Sequence, residues 1–230
     1  AQLHSENMTI NHKRVLRIMR ELGIQGRIKR KYVTTTNSRH NNRVYPHLIK
    51  DFLTPGINQV WCSDITYINI RFGFVYLAVI IDIYSRKIVG YALGKTLSSQ
   101  LAITALKMAI ANRNTDKLIH HSDQGIQYTC KDYIKILQDH GIRISMSAKG
   151  NPYDNAFAES LIKTLKQEEV YLWQYETYLD VAERIPYFIL DVYNRKRLHS
   201  ALGYRPPEEF ESLFAEKGSQ KDEKAKTLFV

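Results

Sequence analysis

Residues 59–93 read QVWCSDITYINI (59–70), RFG (71–73), FVYLAVII (74–81), DIYSR (82–86) and KIVGYAL (87–93). The three longer runs are rich in Val, Ile, Tyr and Thr and are cut by two short turns, which predicts an antiparallel meander with strands over 59–70, 74–81 and 87–93. Beyond it the apolar spacing changes to a helical period over 98–111, then gives a short strand at 117–120, a helix over 130–140 stopped by Gly141, and a strand at 142–146. The sum is an α/β domain with a mixed five-stranded sheet flanked by helices. Asn151 can cap a further helix with Pro152 in its first turn, and that pattern runs to about residue 173. Helices over 177–193 and 207–214 complete the core, which is read as residues 58–215, and 216–230 forms a charged tail.

The region before residue 58 differs in charge. The chain carries a net charge of +10, and residues 1–58 alone hold eleven basic side chains against Glu6, Glu21 and Asp51. So polarised an arm points to a polyanion, with nucleic acid ahead of an anionic membrane surface. Residues 11–22 place Val15, Ile18, Met19 and Leu22 on one helical stripe and Lys13, Arg17 and Arg20 on another. Residues 1–25 are therefore expected to be a small basic helical segment, part of a helix-turn-helix-like unit with Arg17 and Arg20 toward DNA, although an ordinary basic surface helix would look the same. Residues 26–57 read as a basic linker in which Arg27, Lys29, Arg30 and Lys31 can lie along phosphates. The first residue is Ala and the helical unit looks partial, so an upstream segment is expected to be missing from this chain. Cys62 and Cys130 have neither zinc nor disulfide-framework spacing, and no apolar run is long enough to span a bilayer. A cytoplasmic protein without membrane contact is expected.

Three acids stand out. Asp64 sits in the middle of a strand, where aspartate is disfavoured, although an edge-strand aspartate would explain it alone. Asp123 follows a strand in His121-Ser122-Asp123-Gln124-Gly125, where α/β sheets collect catalytic groups, although it can equally form the turn before Gly125. Glu159 lies about two turns into the helix from Asn151, with Asn155 and Lys163 four residues to either side and Lys166 seven beyond; an ordinary solvated glutamate would look the same. Together these bland readings lose ground. Two strand ends and a helix packed across them can bring three carboxylates to one point, where they repel unless a cation is present. Oxygen ligands suit magnesium, with manganese as a substitute, and two ions about 4 Å apart can activate an attacking hydroxyl and stabilise the leaving oxygen of a phosphodiester. Lys163 and Lys166 would grip the DNA backbone, and Asn155 would orient Glu159 or touch DNA. Asp82 reads as a turn cap rather than a metal ligand. His120 and His121 read as packing or hydrogen-bonding residues beside the site.

Trp61-Cys62-Ser63-Asp64-Ile65-Thr66-Tyr67, the block from His121 to Tyr128, and Gly150-Asn151-Pro152-Tyr153-Asp154-Asn155-Ala156-Phe157-Ala158-Glu159-Ser160 resemble the three catalytic blocks of bacterial transposases of insertion sequence family three, relatives of retroviral integrases. Thirty-five residues separate Asp123 from Glu159, the spacing typical of that group, and Lys166 falls at its basic position. Asp82-Ile83-Tyr84-Ser85-Arg86 and the stretch from Tyr193 through His199 to Tyr204 also match. The resemblance implies a ribonuclease H-like fold and magnesium-dependent hydroxyl attack on DNA at the ends of a mobile element, with Asp64, Asp123 and Glu159 as catalytic and metal-binding triad. The expected partners are element-end and target DNA and further copies of this chain on that DNA. Three other functions compete. An inactive DNA-binding regulator would lack cleavage, a structure-selective nuclease would cut without joining, and a tyrosine recombinase, suggested by Arg195, Arg197, His199 and Tyr204, would leave the acids unexplained.

Overall fold

A computed structural model describes residues 1–24, 42–50, 54, 56–148 and 155–216. Two compact units emerge, Ala1–Thr35 and Thr36–Val230. In the first, helices α1 (Gln2–Ser5) and α2 (His12–Glu21) occur, and the Asn11 side chain caps α2 by accepting from the Lys13 amide at 2.9 Å. Arg17 and Arg20 are exposed, and Arg17 pairs with Glu21 one turn on at 3.5 Å. Arg27, Lys29, Arg30 and Lys31 lie outside the described residues, as do Asn151, Pro152 and the charged tail from 217 on.

In the second unit the meander forms as expected: β1 (Val60–Ile70), β2 (Gly73–Asp82) and β3 (Ile88–Gly94) pair antiparallel. Helix α3 (Ser99–Asn112), strand β4 (Ile119–Ser122), the short α4 (Ile126–Thr129), α5 (Lys131–Asp139) and β5 (Arg143–Met146) follow. The sheet order is β3-β2-β1-β4-β5, with β4 parallel to both β1 and β5. Alternation along β1 divides the core. Val60, Cys62 and Ile68 face a layer built by α6 (Ala156–Leu165) and α7 (Tyr178–Tyr187), while Trp61 and Ile65 face α3 and α5. On the latter side α3 lies so close that a Cβ on Gly90 would run into the Ala105 carbonyl oxygen and the Ala109 methyl.

Both later helices end in a wide π turn, at Lys166–Val170 and at Phe188–Tyr193. The first helix thus stops at Val170 rather than near residue 173. Tyr171–Gln174 leave it, and the Trp173 ring instead receives the Arg184 guanidinium at 3.5 Å. Beneath it the buried Glu169 accepts from Tyr175 Oη at 2.8 Å and from Arg184 Nε at 2.8 Å, so that its charge is compensated. The second π turn follows Pro186, which cannot donate to the helix ladder, and delivers Asn194 to β3. There Asn194 Oδ1 accepts from the Ile88 amide at 3.0 Å and its Nδ2 donates to the Ile88 carbonyl at 3.1 Å, covering part of an edge strand. A last helix, α8, spans 207–216.

Residues 42–50, the far part of the stretch read as a basic linker, dock on this core. Asn42 donates to Thr129 Oγ1 at 3.0 Å, the Leu48 amide donates to Ser145 Oγ at 2.9 Å, and Tyr45 and Ile49 pack on the two hydrophobic clusters. These two apolar residues explain the docking. Among the described residues no helix is long and apolar enough to cross a membrane.

Candidate active site

The parallel register sets the first two acids. Val60 lies beside Ile119, Trp61 beside His120 and Cys62 beside His121, and two residues further along each chain stand Asp64 and Asp123. A step of two along β1 keeps Asp64 on the face of Cys62, and neighbouring strands run about 4.8 Å apart. Asp123 lies just past the end of β4, where its Oδ1 accepts from the Gly125 amide at 2.9 Å. Asp64 Oδ1 accepts from the following Ile65 amide at 2.8 Å. The carboxylate of Asp64 is thus held on a strand buried on both sides, yet remains partly open to solvent.

The third acid arrives on α6. Ala158, Leu161, Ile162 and Leu165 bury one stripe of that helix against Val60, Cys62, Leu77 and Val79, and Glu159 is left on an exposed flank. Asn155, buried at the helix start, donates through Nδ2 to the Ser63 carbonyl at 3.2 Å, one residue from Asp64. Asn155 therefore ties the helix to the strand.

The electrostatics report the grouping. The Asp64 carboxyl is pushed up to about 7, first by burial, then by the charge of Asp123 and less by Glu159, while the Ile65 amide and Lys166 oppose the rise. Burial also raises Glu159. The described residues nevertheless contain no three His, Cys, Asp or Glu side chains drawn together tightly enough to hold one metal ion. Strand β1 carries Asp64, β4 leads into Asp123, and α6 carries Glu159, whose charge is felt at Asp64 less than that of Asp123.

The basic candidates take different places. Lys166 is only 7% exposed and its Nζ lies 4.6 Å from the centre of the Tyr67 ring, which in turn meets Phe74 edge-on at 5.3 Å. Burial lowers the Lys166 pKa and Asp64 opposes that. The helical period placed Lys166 on the side of Glu159, but the ring that covers it could not be read from spacing. Lys163 is half-buried on the same helix.

The remaining polar residues bear out their bland readings. Asp82 is a turn cap: Oδ1 accepts from the Tyr84 and Ser85 amides at 2.9 and 3.1 Å, and Oδ2 from the Asn58 amide at 2.6 Å. His120 Nε2 meets Tyr133 Oη at 2.9 Å, and His121 Nδ1 meets Ser145 Oγ at 2.8 Å. Sequence reading missed Arg86, whose guanidinium lies 4.3 Å from the centre of the Phe157 ring, two residues before Glu159.

Comparison with known proteins agrees with this fold. Residues 55–152 and 140–207 match two profiles described as integrase core domain, and residues 1–32 match one described as HTH-like domain. The simian T-cell lymphotropic virus intasome is similar with a TM-score of 0.56 at 19% identity, over 76% of this chain and 60% of that one. The catalytic core of BIV integrase gives 0.52 at 19% identity, over 71% and 98%. The HTLV-2 integrase core in complex with magnesium gives 0.50 at 15%, over 66% and 95%. These likenesses establish the ribonuclease H-like fold. In sequence, the chain is 39% identical to a 31 kDa protein of insertion element IS600 from Shigella sonnei, over 93% of this chain and 79% of that one. It is 38% identical to the transposase of IS904 from Lactococcus lactis, over 91% and 83%, and 36% identical to transposase InsF of IS3A from Escherichia coli, over 92% and 74%. With such identities sustained over most of both partners, the chain belongs to the transposases of insertion sequence family three, built on an integrase core domain.

Proposed function

We propose that Asp64, Asp123 and Glu159 are the acidic triad with which this transposase cleaves DNA at the ends of its insertion sequence and transfers the strand to target DNA. The observation that supports the reading is the parallel register of β1 and β4, which pairs Cys62 with His121, two residues before Asp64 and Asp123, on a sheet packed by the helix of Glu159. The donors suit a hard divalent cation. All are carboxylate oxygens, and the upward push on Asp64 from its two acidic neighbours is the repulsion that such a cation relieves. Magnesium or manganese held by these three residues as a pair of ions would activate the attacking hydroxyl and stabilise the leaving oxygen. The magnesium complex of the HTLV-2 integrase core supports this assignment.

The chain's own residues supply the rest. Asn155 fixes the start of α6 on the backbone beside Asp64. Lys166, held by Tyr67, places a cation next to the acids, where a DNA phosphate would otherwise be repelled. Lys163 adds a second cation on the same helix, and Arg17, Arg20, Arg27, Lys29, Arg30 and Lys31 offer further basic side chains to DNA from the N-terminal segment (1–25) and linker (26–57). The protein works as an oligomer of its own copies on DNA, a reading to which the intasome among the structural neighbours lends support, and in the cytoplasm.

The test is incubation with element-end DNA and magnesium, with mapping of nicked and joined products. Both should form with magnesium or manganese, whereas calcium should support binding without cleavage because its coordination is looser. Turnover in chelator equal to that in magnesium would overturn the reading.

A further inference from the structure

The turn Asp82-Ile83-Tyr84-Ser85-Arg86 matches the family yet supplies no acid to the triad. Its construction is elaborate for a simple strand connection. The buried Asp82 carboxylate gathers three backbone amides, from Asn58, Tyr84 and Ser85, which leaves the turn little freedom. Arg86, at its end, adopts φ of +61°, a left-handed conformation that costs a residue with a Cβ energy and persists only where the surroundings hold it. What this locked turn presents is the Arg86 guanidinium, half-buried and 4.3 Å from the centre of the Phe157 ring. Phe157 belongs to the first turn of α6 and packs partly into the core beside Ala158 and Leu161.

The C-terminal part of the core contributes electrostatically to the same region. His199 is pushed down to about 4 by burial and then by Arg197 and Arg86, and its ring stands 5.0 Å from that of Tyr193. Burial lowers the Arg86 pKa, and Tyr193, Cys62 and Asp82 oppose that. Two contacts therefore fix the start of α6. Asn155 ties it to β1 beside Asp64, and Phe157 rests on a cation delivered by the β2–β3 turn.

Resting on the triad reading above, we infer that Arg86 is a positioning residue for Glu159: the locked turn aims its guanidinium at Phe157 and so sets the rotation and depth of the α6 helix start from which Glu159 reaches the two aspartates. The cation–π contact gives a soft, face-on stop that an aliphatic pair would not reproduce.

The test measures strand transfer at saturating element-end DNA for the parent, Arg86→Gln, Arg86→Lys, Phe157→Leu and the double variant R86Q/F157L, with Glu159→Gln alongside. Arg86→Gln and Phe157→Leu should each lower the maximal rate about tenfold, the size of one partly desolvated cation–π contact, and the double variant should lose no more than the worse single. Arg86→Lys should recover most of the loss. DNA affinity should stay within about twofold of the parent, since no phosphate contact is removed. Hydrogen exchange should quicken at residues 156–160 while β1 and β2 stay protected. Additive losses, or weakened DNA binding in Arg86→Gln at unchanged maximal rate, would overturn the inference, as would parent-like transfer in Arg86→Gln when Glu159→Gln is dead. Transfer retained by Glu159→Gln would instead overturn the triad.

Discussion

The proposed triad rests on two kinds of support: the strands that lead to Asp64 and Asp123, and the helix, leaning on the sheet, that carries Glu159. The strand side is held by register: β1 is buried between β2 and β4, and a shift by one residue would turn every apolar side chain of the strand to the wrong face. The third acid depends on an apolar stripe, on one Asn155 hydrogen bond and on the Arg86 contact with Phe157. In the proposed site the strands thus supply the more firmly held part, and Glu159, exposed on its helix, influences Asp64 less than Asp123 does.

The largest expected effect breaks the strand side. Asp64→Asn or Asp123→Asn should lower nicking and strand transfer by roughly a thousandfold or more, the equivalent of about 4 kcal/mol of transition-state stabilisation, while the protein stays folded. Kinetics on element-end DNA with a parallel melting curve would check this. A smaller loss follows from loosening the helix side. Asn155→Ala removes the bond to the Ser63 carbonyl, and the maximal rate should fall on the order of tenfold, the worth of about one hydrogen bond, with a raised magnesium requirement.

Stability should respond in the opposite sense. Because the folded Asp64 carboxyl titrates near 7 rather than at 3.8, the folded protein holds that proton more tightly than the unfolded chain does. Its contribution is full below about pH 4 and is lost as pH rises through about 7. In chelator, Asp64→Asn should flatten this dependence and raise the melting temperature at pH 8, on the order of 2–4 °C per kcal/mol of burial penalty and repulsion relieved. A parent-like pH dependence in thermal unfolding would remove the charge coupling from the account. The smallest effect concerns Lys166: Lys166→Ala should weaken DNA binding and reduce the slope of log affinity against log salt by about one. An unchanged slope would assign Lys166 to the Tyr67 contact and the field at Asp64 alone.

The same contrast explains what could be read from sequence. The meander was legible because β-branched and aromatic residues alternate across two short turns, and Asp82 was legible as a cap because its position opens one of them. The register that leads to Asp64 and Asp123 needed more. Strand β4 is only four residues long and buried throughout, so neither alternation nor length announces its parallel register with β1. The π turns at 166–170 and 188–193 escaped a reading based on 3.6-residue spacing, and with them the end of the first helix and the delivery of Asn194 to β3. Contacts between distant segments left no periodic trace: Lys166 on Tyr67, Arg86 on Phe157, and residues 42–50 on the core are set by tertiary packing.

The most direct test of the account is Glu159→Gln, assayed for DNA affinity, nicking and strand transfer in magnesium. The substitution keeps size and helix propensity and removes one negative charge beside the aspartates. Affinity should be unchanged or slightly improved, while nicking and transfer fall together by roughly a thousandfold, because the two reactions use the same acids and differ only in the attacking hydroxyl. A folded Glu159→Gln protein that transfers strands within a few-fold of the parent would contradict the claim that the helix completes the site.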